Sequence, residues 1–144
     1  MFRDMRLHAS CAALDGAGVL LTGKSGCGKS DLLLRLIDAG FDLVADDQVI
    51  VADGRASAPA ALAGLLEVRG CGIFRLAFVE AAPVKVVVEL DRATDRLPEP
   101  RRHAALDVPT IRLDPAAASA VARVRLALDC ARGRTSQLVG AFAA

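Results

Sequence analysis

Gly23-Lys24-Ser25-Gly26-Cys27-Gly28-Lys29-Ser30 is a G-x-x-x-x-G-K-S run, entered from the apolar stretch Gly18 to Thr22 and followed by a helix-like stretch, Asp31 to Ala39. These residue types at this spacing suit one task, the holding of a phosphate chain. Small residues let the backbone curl so that successive N–H groups face one anion, and the N-terminus of the following helix adds its partial positive charge. Lys29 is then placed to reach the β- and γ-phosphates and the Ser30 hydroxyl to reach Mg²⁺. The strand-before, helix-after context that gives the pattern its meaning is present, so the chain is read as binding a nucleoside triphosphate, with Lys29 on a solvent-facing loop.

A phosphate site of this kind needs a carboxylate near the metal, and Asp46-Asp47, closing the apolar run Leu43-Val44-Ala45, stands where such an acid belongs. Two adjacent acids suggest two tasks. Successive side chains of a strand point to opposite faces, so one would meet the metal or γ-phosphate while the other braces the loop or meets the acceptor. Cys27 lies inside the loop near a helix N-terminus, where a thiol can be acidified, and a small residue tolerated in the loop is the favoured reading.

The elements that must position these groups follow from local pattern. Arg6 to Cys11 and Gly18 to Thr22 read as antiparallel strands around the turn Leu14 to Gly18, where Asp15-Gly16 favours a reversal. Leu32, Leu33, Leu36 and Ile37 repeat at helical spacing, and Gly40 sits where a helix commonly stops. Phe41 to Ala45, then Gln48 to Ala52, make strand, acidic corner, strand. Asp53-Gly54 is a further turn, and Ala56 to Leu65 reads as loop with a short helix. Leu65 to Arg69 leads into Gly70-Cys71-Gly72 and then the apolar run Ile73 to Val79, which suggests a strand entering a flexible functional loop. Val84 to Leu90, rich in β-branched residues, is a strand, Asp91 to His103 a proline-containing surface loop, Pro109 to Leu113 an edge strand, and Ala116 to Arg132 a C-terminal helix. The fold class is therefore α/β.

Composition bounds the rest. The chain has 144 residues, enough for one domain that buries about 70% of its unfolded surface. Net charge is +1, the basic residues are scattered and neither Trp nor Tyr occurs, which leaves no footprint or stacking platform for nucleic acid. No apolar run approaches the roughly 18 residues of a membrane span, and Met1 to Arg6 does not read as a secretory leader. No membrane partner and a cytoplasmic location are expected. Four cysteines without a C-x-x-C pair and two distant histidines make a zinc site a poor reading.

Taken together, His8, the phosphate loop, Leu-Val-Ala-Asp-Asp-Gln-Val and Leu-Leu-Glu-Val-Arg-Gly-Cys-Gly-Ile, in that order and spacing, resemble the catalytic domain of the HPr kinase/phosphorylase family. The resemblance covers nearly the whole chain, as in the short family form without an N-terminal domain. It implies a single domain over residues 1–144 of phosphate-loop kinase type, with a mixed sheet like that of phosphoenolpyruvate carboxykinase and a C-terminal helix. It implies an ATP- and Mg²⁺-dependent kinase acting on a serine of the phosphocarrier protein HPr or its nitrogen-system paralogue, assembled as a homo-hexamer. It also implies roles: His8 as active-site histidine, Ser30 and Glu67 as metal-binding positions, Asp47 as proton acceptor supported by Asp46, and Arg96 as catalytic arginine. The family's Pro-Val-x-x-Gly-Arg-like loop, tied to removing phosphate from the carrier, is replaced by Pro109 to Pro115, which lacks the Gly-Arg pair, so the phosphorylase activity is the weakest part of the likeness. The competing readings are a small-molecule phosphate-loop kinase and an ATP-sensing regulatory module.

Overall fold

The computed structural model describes residues 4–143, so Met1 to Arg3 of the segment tested for a leader lie outside the described residues. Ten strands and two helices follow one another among the described residues. They are β1 (Met5–Leu7), β2 (Ser10–Leu14), β3 (Ala17–Thr22), α1 (Lys29–Asp38), β4 (Asp42–Ala45), β5 (Val49–Ala52), β6 (Arg55–Ser57), β7 (Leu65–Val68), β8 (Gly72–Arg75), β9 (Ala82–Leu90), β10 (Thr110–Leu113) and α2 (Ala120–Ala131). Eight of the strands form one mixed sheet in the order β1-β5-β6-β9-β3-β2-β4, with β10 beside β9. The pairs β3–β9 and β9–β10 are parallel and the others antiparallel. β7 and β8 make a separate hairpin. The mixed sheet and the C-terminal helix are those expected.

Alternation along the strands sorts the core into two faces. Val19, Leu21, Val86 and Val88 face Leu32, Leu33 and Leu36 of α1 and Val124 and Leu128 of α2, whereas Leu20 and Val87 face a second cluster with Val44, Val49 and Val51. Both helices thus cover one face, and the meander β1-β5-β6 contributes to the core on the other. The register of β3 against β9 slips between Gly18 and Val19. Exposed Lys85 is the residue passed over at that slip, which lets a lysine interrupt an otherwise buried strand.

Local chemistry explains the joints. Asp15-Gly16 and Asp53-Gly54 each place both residues at positive φ, as the tight turns that match strand twist require. α1 ends in a Schellman motif: the Phe41 N–H donates to the Leu36 carbonyl and the Gly40 N–H to that of Ile37, with Gly40 at φ 105°. Arg125 of α2 donates to the Ala39 carbonyl at 2.8 Å, with its guanidinium 5.7 Å from the centre of the Phe41 ring. A cation there meets the negative end of α1's dipole and an aromatic face at once.

Three expectations need correction. The single strand Arg6 to Cys11 is two, because β1 pairs with β5 while β2 pairs with β3 and β4, and the chain bends between them at His8-Ala9. Arg55–Ser57 is a strand rather than loop, since the Asp53-Gly54 turn folds it back on β5; only Ala60–Leu62 within that stretch is helical, as a short 3₁₀ turn. The run Ile73 to Val79 supplies a strand only to Arg75, after which Phe78 makes an isolated bridge to Leu43.

All four cysteines are free. Burial pushes the Cys11 thiol up to about 12, so it stays in the unreactive thiol form near neutral pH. Exposed Cys71 is expected to react with a disulfide reagent on mixing and Cys11 only after unfolding. Fast labelling of Cys11 in the folded protein, read by peptide mass, would contradict the packing described.

Candidate functional site

β3 runs directly into the phosphate loop, and α1 begins at Lys29. β2 is antiparallel to β3 and to β4, so the start of β2 and the ends of β3 and β4 lie at one end of the sheet. That is where His8, the loop and Asp46-Asp47 meet. Gly23, Gly26 and Gly28 all have positive φ, a backbone that side chains rarely adopt. A Cβ at Gly23 would also lie 2.6 Å from the Cys27 sulfur. These glycines let the loop curl, and helix α1 follows with its first N–H groups toward the curl.

Lys29 is buried, contrary to the solvent-facing position expected of it. Its ammonium donates to the carbonyls of Gly23 at 2.7 Å and Lys24 at 3.0 Å, with the Cys27 sulfur at 3.8 Å. The cation therefore sits folded over the loop it serves, held by neutral acceptors that an anionic phosphate outcompetes.

Asp46 and Asp47 diverge, though not through strand alternation, for β4 ends at Ala45. The Gln48 N–H donates to the Asp46 carbonyl at 2.7 Å and Asp47 between them has φ 68°. This is a γ-turn of the rare, strained kind. It sends the Asp46 carboxylate inward: Oδ1 accepts from Ser30 Oγ at 2.8 Å and from Ser10 Oγ at 2.9 Å, and Oδ2 lies 3.5 Å from the Glu67 N–H. Asp46 thus ties α1, β2 and β7 together. Asp47 stays exposed, its Oδ1 3.2 Å from His8 Nδ1, while His8 Nε2 lies 3.0 Å from Ser25 Oγ in the loop. Asp47→Gly is expected to keep the turn and raise stability by about 1 kcal/mol by relieving that strain. A denaturant midpoint below that of the parent would show that the His8 contact outweighs it.

His8, Ser25, Gly26, Lys29, Ser30, Asp47 and Glu67 line one cavity of ≈390 Å³, together with Leu34, Val68 and Arg69. Exposed Glu67 reaches it from β7. A second cavity, on another side of the loop, is lined by Gly23, Lys24, Cys27, Glu89, Arg92, Arg112 and Asp114 among others. Arg96 lines neither cavity and is exposed in the segment between β9 and β10. That segment brings Arg92 beside the loop instead.

The oxygen set suits a hard cation. Ser30 Oγ, which lines the cavity with Glu67, is hydrogen-bonded to the buried Asp46 carboxylate behind it, and Mg²⁺ is usually held by one or two carboxylates with phosphate oxygens and water supplying the rest. Among the described residues no three His, Cys, Asp or Glu side chains are grouped to enclose a metal unaided.

Ser10, which both accepts from the Asp47 N–H at 3.3 Å and donates to Asp46, escaped the sequence reading, as did Arg69 and Arg92. A serine opening a strand carries no signal of its own. Only the register of β2 against β4 brings it to the acidic corner.

Comparison with known proteins adds an independent line. The family model described as HPr Serine kinase C-terminal domain matches residues 1–105. The HPr kinase/phosphorylase of Clostridium tetani is 46% identical over 74 residues, 49% of this chain and 24% of that protein, and that of Malacoplasma penetrans is 39% identical over 97 residues, 58% of this chain and 32% of that protein. The match thus spans a third or less of the length of these curated relatives. The solved structure of an Hpr(Ser) kinase/phosphatase from Coxiella burnetii is similar with a TM-score of 0.71 and 26% identity, covering 85% of this chain and 88% of that one.

Proposed function

The chain belongs to the HPr Serine kinase C-terminal domain family, and on that premise we propose that it transfers the γ-phosphoryl group of ATP to a serine of a phosphocarrier protein, HPr or its nitrogen-system paralogue. One observation carries the reading: the phosphate-loop residues Lys29 and Ser30 open onto the same cavity as the exposed Asp47 carboxylate. Donor and acceptor sites of a phosphoryl transfer have to meet in this way.

The residues divide the work. Backbone N–H groups of the loop and Lys29 take the phosphates, Lys29 leaving the Gly23 and Lys24 carbonyls to do so. Ser30, Asp46 and Glu67 are the groups to hold Mg²⁺, which when bound neutralises charge on the phosphate oxygens. Asp47 accepts the proton as the serine oxygen bonds to phosphorus. Arg96 acts on this reading only once its segment folds over the site, and Arg92 is the arginine already beside the loop.

The electrostatics of the second cavity favour transfer to the carrier over its reversal. Phosphorolysis needs an inorganic phosphate held in line with phosphoserine, hence spare positive charge. The second cavity holds no surplus of it: Lys24, Arg92 and Arg112 line the cavity together with Glu89, Asp91 and Asp114, and Arg112, which stands in place of the missing Gly-Arg pair, lies 3.6 Å from the Glu89 carboxylate that Arg101 also engages. A kinase with weak phosphorylase activity follows. The homo-hexamer implied by the family likeness belongs to the same proposal.

The test is to incubate the protein with γ-labelled ATP, Mg²⁺ and each carrier, counting label in protein and in free phosphate separately. Label in a carrier at a rate well above ATP hydrolysis is expected. Hydrolysis alone, or nucleotide binding without turnover, would favour the sensing module, and label in a small molecule the metabolite kinase.

A further inference from the structure

Ser25 is a phosphate-loop residue whose side chain contacts a second functional group. Its Oγ lies 3.0 Å from His8 Nε2, and His8 Nδ1 lies 3.2 Å from Asp47 Oδ1. Donor rules decide the direction of both contacts. An ionised carboxylate only accepts, so the ring nitrogen facing Asp47 carries the hydrogen, and in a neutral imidazole the other nitrogen is then an acceptor. While the ring is neutral the Ser25 hydroxyl therefore donates to Nε2. Its hydrogen is committed to the ring and not to a phosphate.

The arrangement has a purpose because Asp47 has little else to hold it. Its carboxylate is 62% exposed, its backbone is strained, and among the described residues His8 is its one side-chain partner. His8 itself is half exposed and sits at the bend between β1 and β2. A ring in that position is free to rotate or change tautomer unless both nitrogens are engaged. Ser25 engages the second, from within the loop that binds the nucleotide.

The geometry points to Ser25 as a positioning residue that holds His8 as the Nδ1–H tautomer and so ties the orientation of the Asp47 carboxylate to the folded phosphate loop. The part that concerns Asp47 rests on the kinase reading above. Its consequence is that proton acceptance from the acceptor hydroxyl is aligned only where the loop has its phosphate-binding shape.

The experiment is ¹⁵N spectroscopy of the histidine side chains followed against pH and read on the plateau where the rings are neutral, with the His8 signals identified by their loss in His8→Gln. In the parent protein His8 is expected to be protonated at Nδ1 and bare at Nε2. Ser25→Ala, which leaves only the exposed Asp47 carboxylate to favour Nδ1–H, is expected to raise the share of the Nε2–H tautomer and to lower kcat for carrier phosphorylation by about 10- to 100-fold, with Kd for ATP changed less than about twofold. Ser25→Thr, which keeps the hydroxyl, is expected to restore both the spectrum and kcat. A His8 protonated at Nε2 in the parent, a spectrum unmoved by Ser25→Ala, or a loss of kcat that Ser25→Thr fails to repair would each overturn the assignment. If the parent phosphorylated no carrier, the kinase reading would fall, while the spectra would still decide whether Ser25 sets the tautomer.

Discussion

Lys29→Ala is expected to lower phosphoryl transfer by about 10³-fold or more, the scale of removing a preorganised charge from a developing anion. The ammonium is the one buried cation at the loop, and it is already within 3.0 Å of two loop carbonyls. Its loss takes away both the phosphate contact and the clamp on the loop. The fold should survive, because the core beneath α1 is made by Leu32, Leu33 and Leu36, which the substitution does not touch. Transfer measured with labelled ATP, beside a thermal melt, separates the two effects. A well-folded Lys29→Ala protein with parental turnover would remove the loop from the chemistry.

Asp47→Asn is expected to cost about 10²-fold or more in turnover, the usual contribution of a placed general base, with nucleotide affinity little changed. Asp46→Asn should behave differently. Asp46 receives hydrogen bonds from Ser30 and Ser10, so its substitution disturbs the cation corner and should raise the Mg²⁺ concentration needed for half-maximal transfer. Titrating Mg²⁺ against both variants gives the comparison. A normal Mg²⁺ requirement in Asp46→Asn together with the larger loss of kcat would exchange the two roles.

The shape of the loop was legible because it is local: eight consecutive residues set its glycine-rich curl between β3 and α1. The Asp15-Gly16 hairpin, the Gly40 helix stop and the β-branched strand β9 were legible for the same reason, each being set by a few neighbouring side chains. What escaped was non-local. β1 and β2 separate because their partners, β5 and β4, come from elsewhere in the chain, and no propensity at His8-Ala9 announces the bend. The divergence of Asp46 and Asp47 was anticipated, but from strand alternation, whereas a strained turn beyond the strand produces it. Lys29 reads as exposed because lysine usually is; the glycines of the loop leave carbonyls for it to cap. Arg96 shows the opposite limit. Its role was carried over from the family resemblance, and its side chain stands apart from the cavity that holds the other site residues.

The central claim is that one cavity receives both the phosphate loop's nucleotide and an acceptor serine, with Asp47 between them. It is tested most directly by incubating the purified carrier with ATP, Mg²⁺ and either parent or Asp47→Asn protein, then mapping the phosphorylated residue by mass spectrometry with time. The account predicts one phosphoserine in the carrier, formed stoichiometrically by the parent and about 10²-fold more slowly by Asp47→Asn. A carrier left unmodified by the parent, phosphate on a residue other than serine, or equal rates for the two proteins would contradict it.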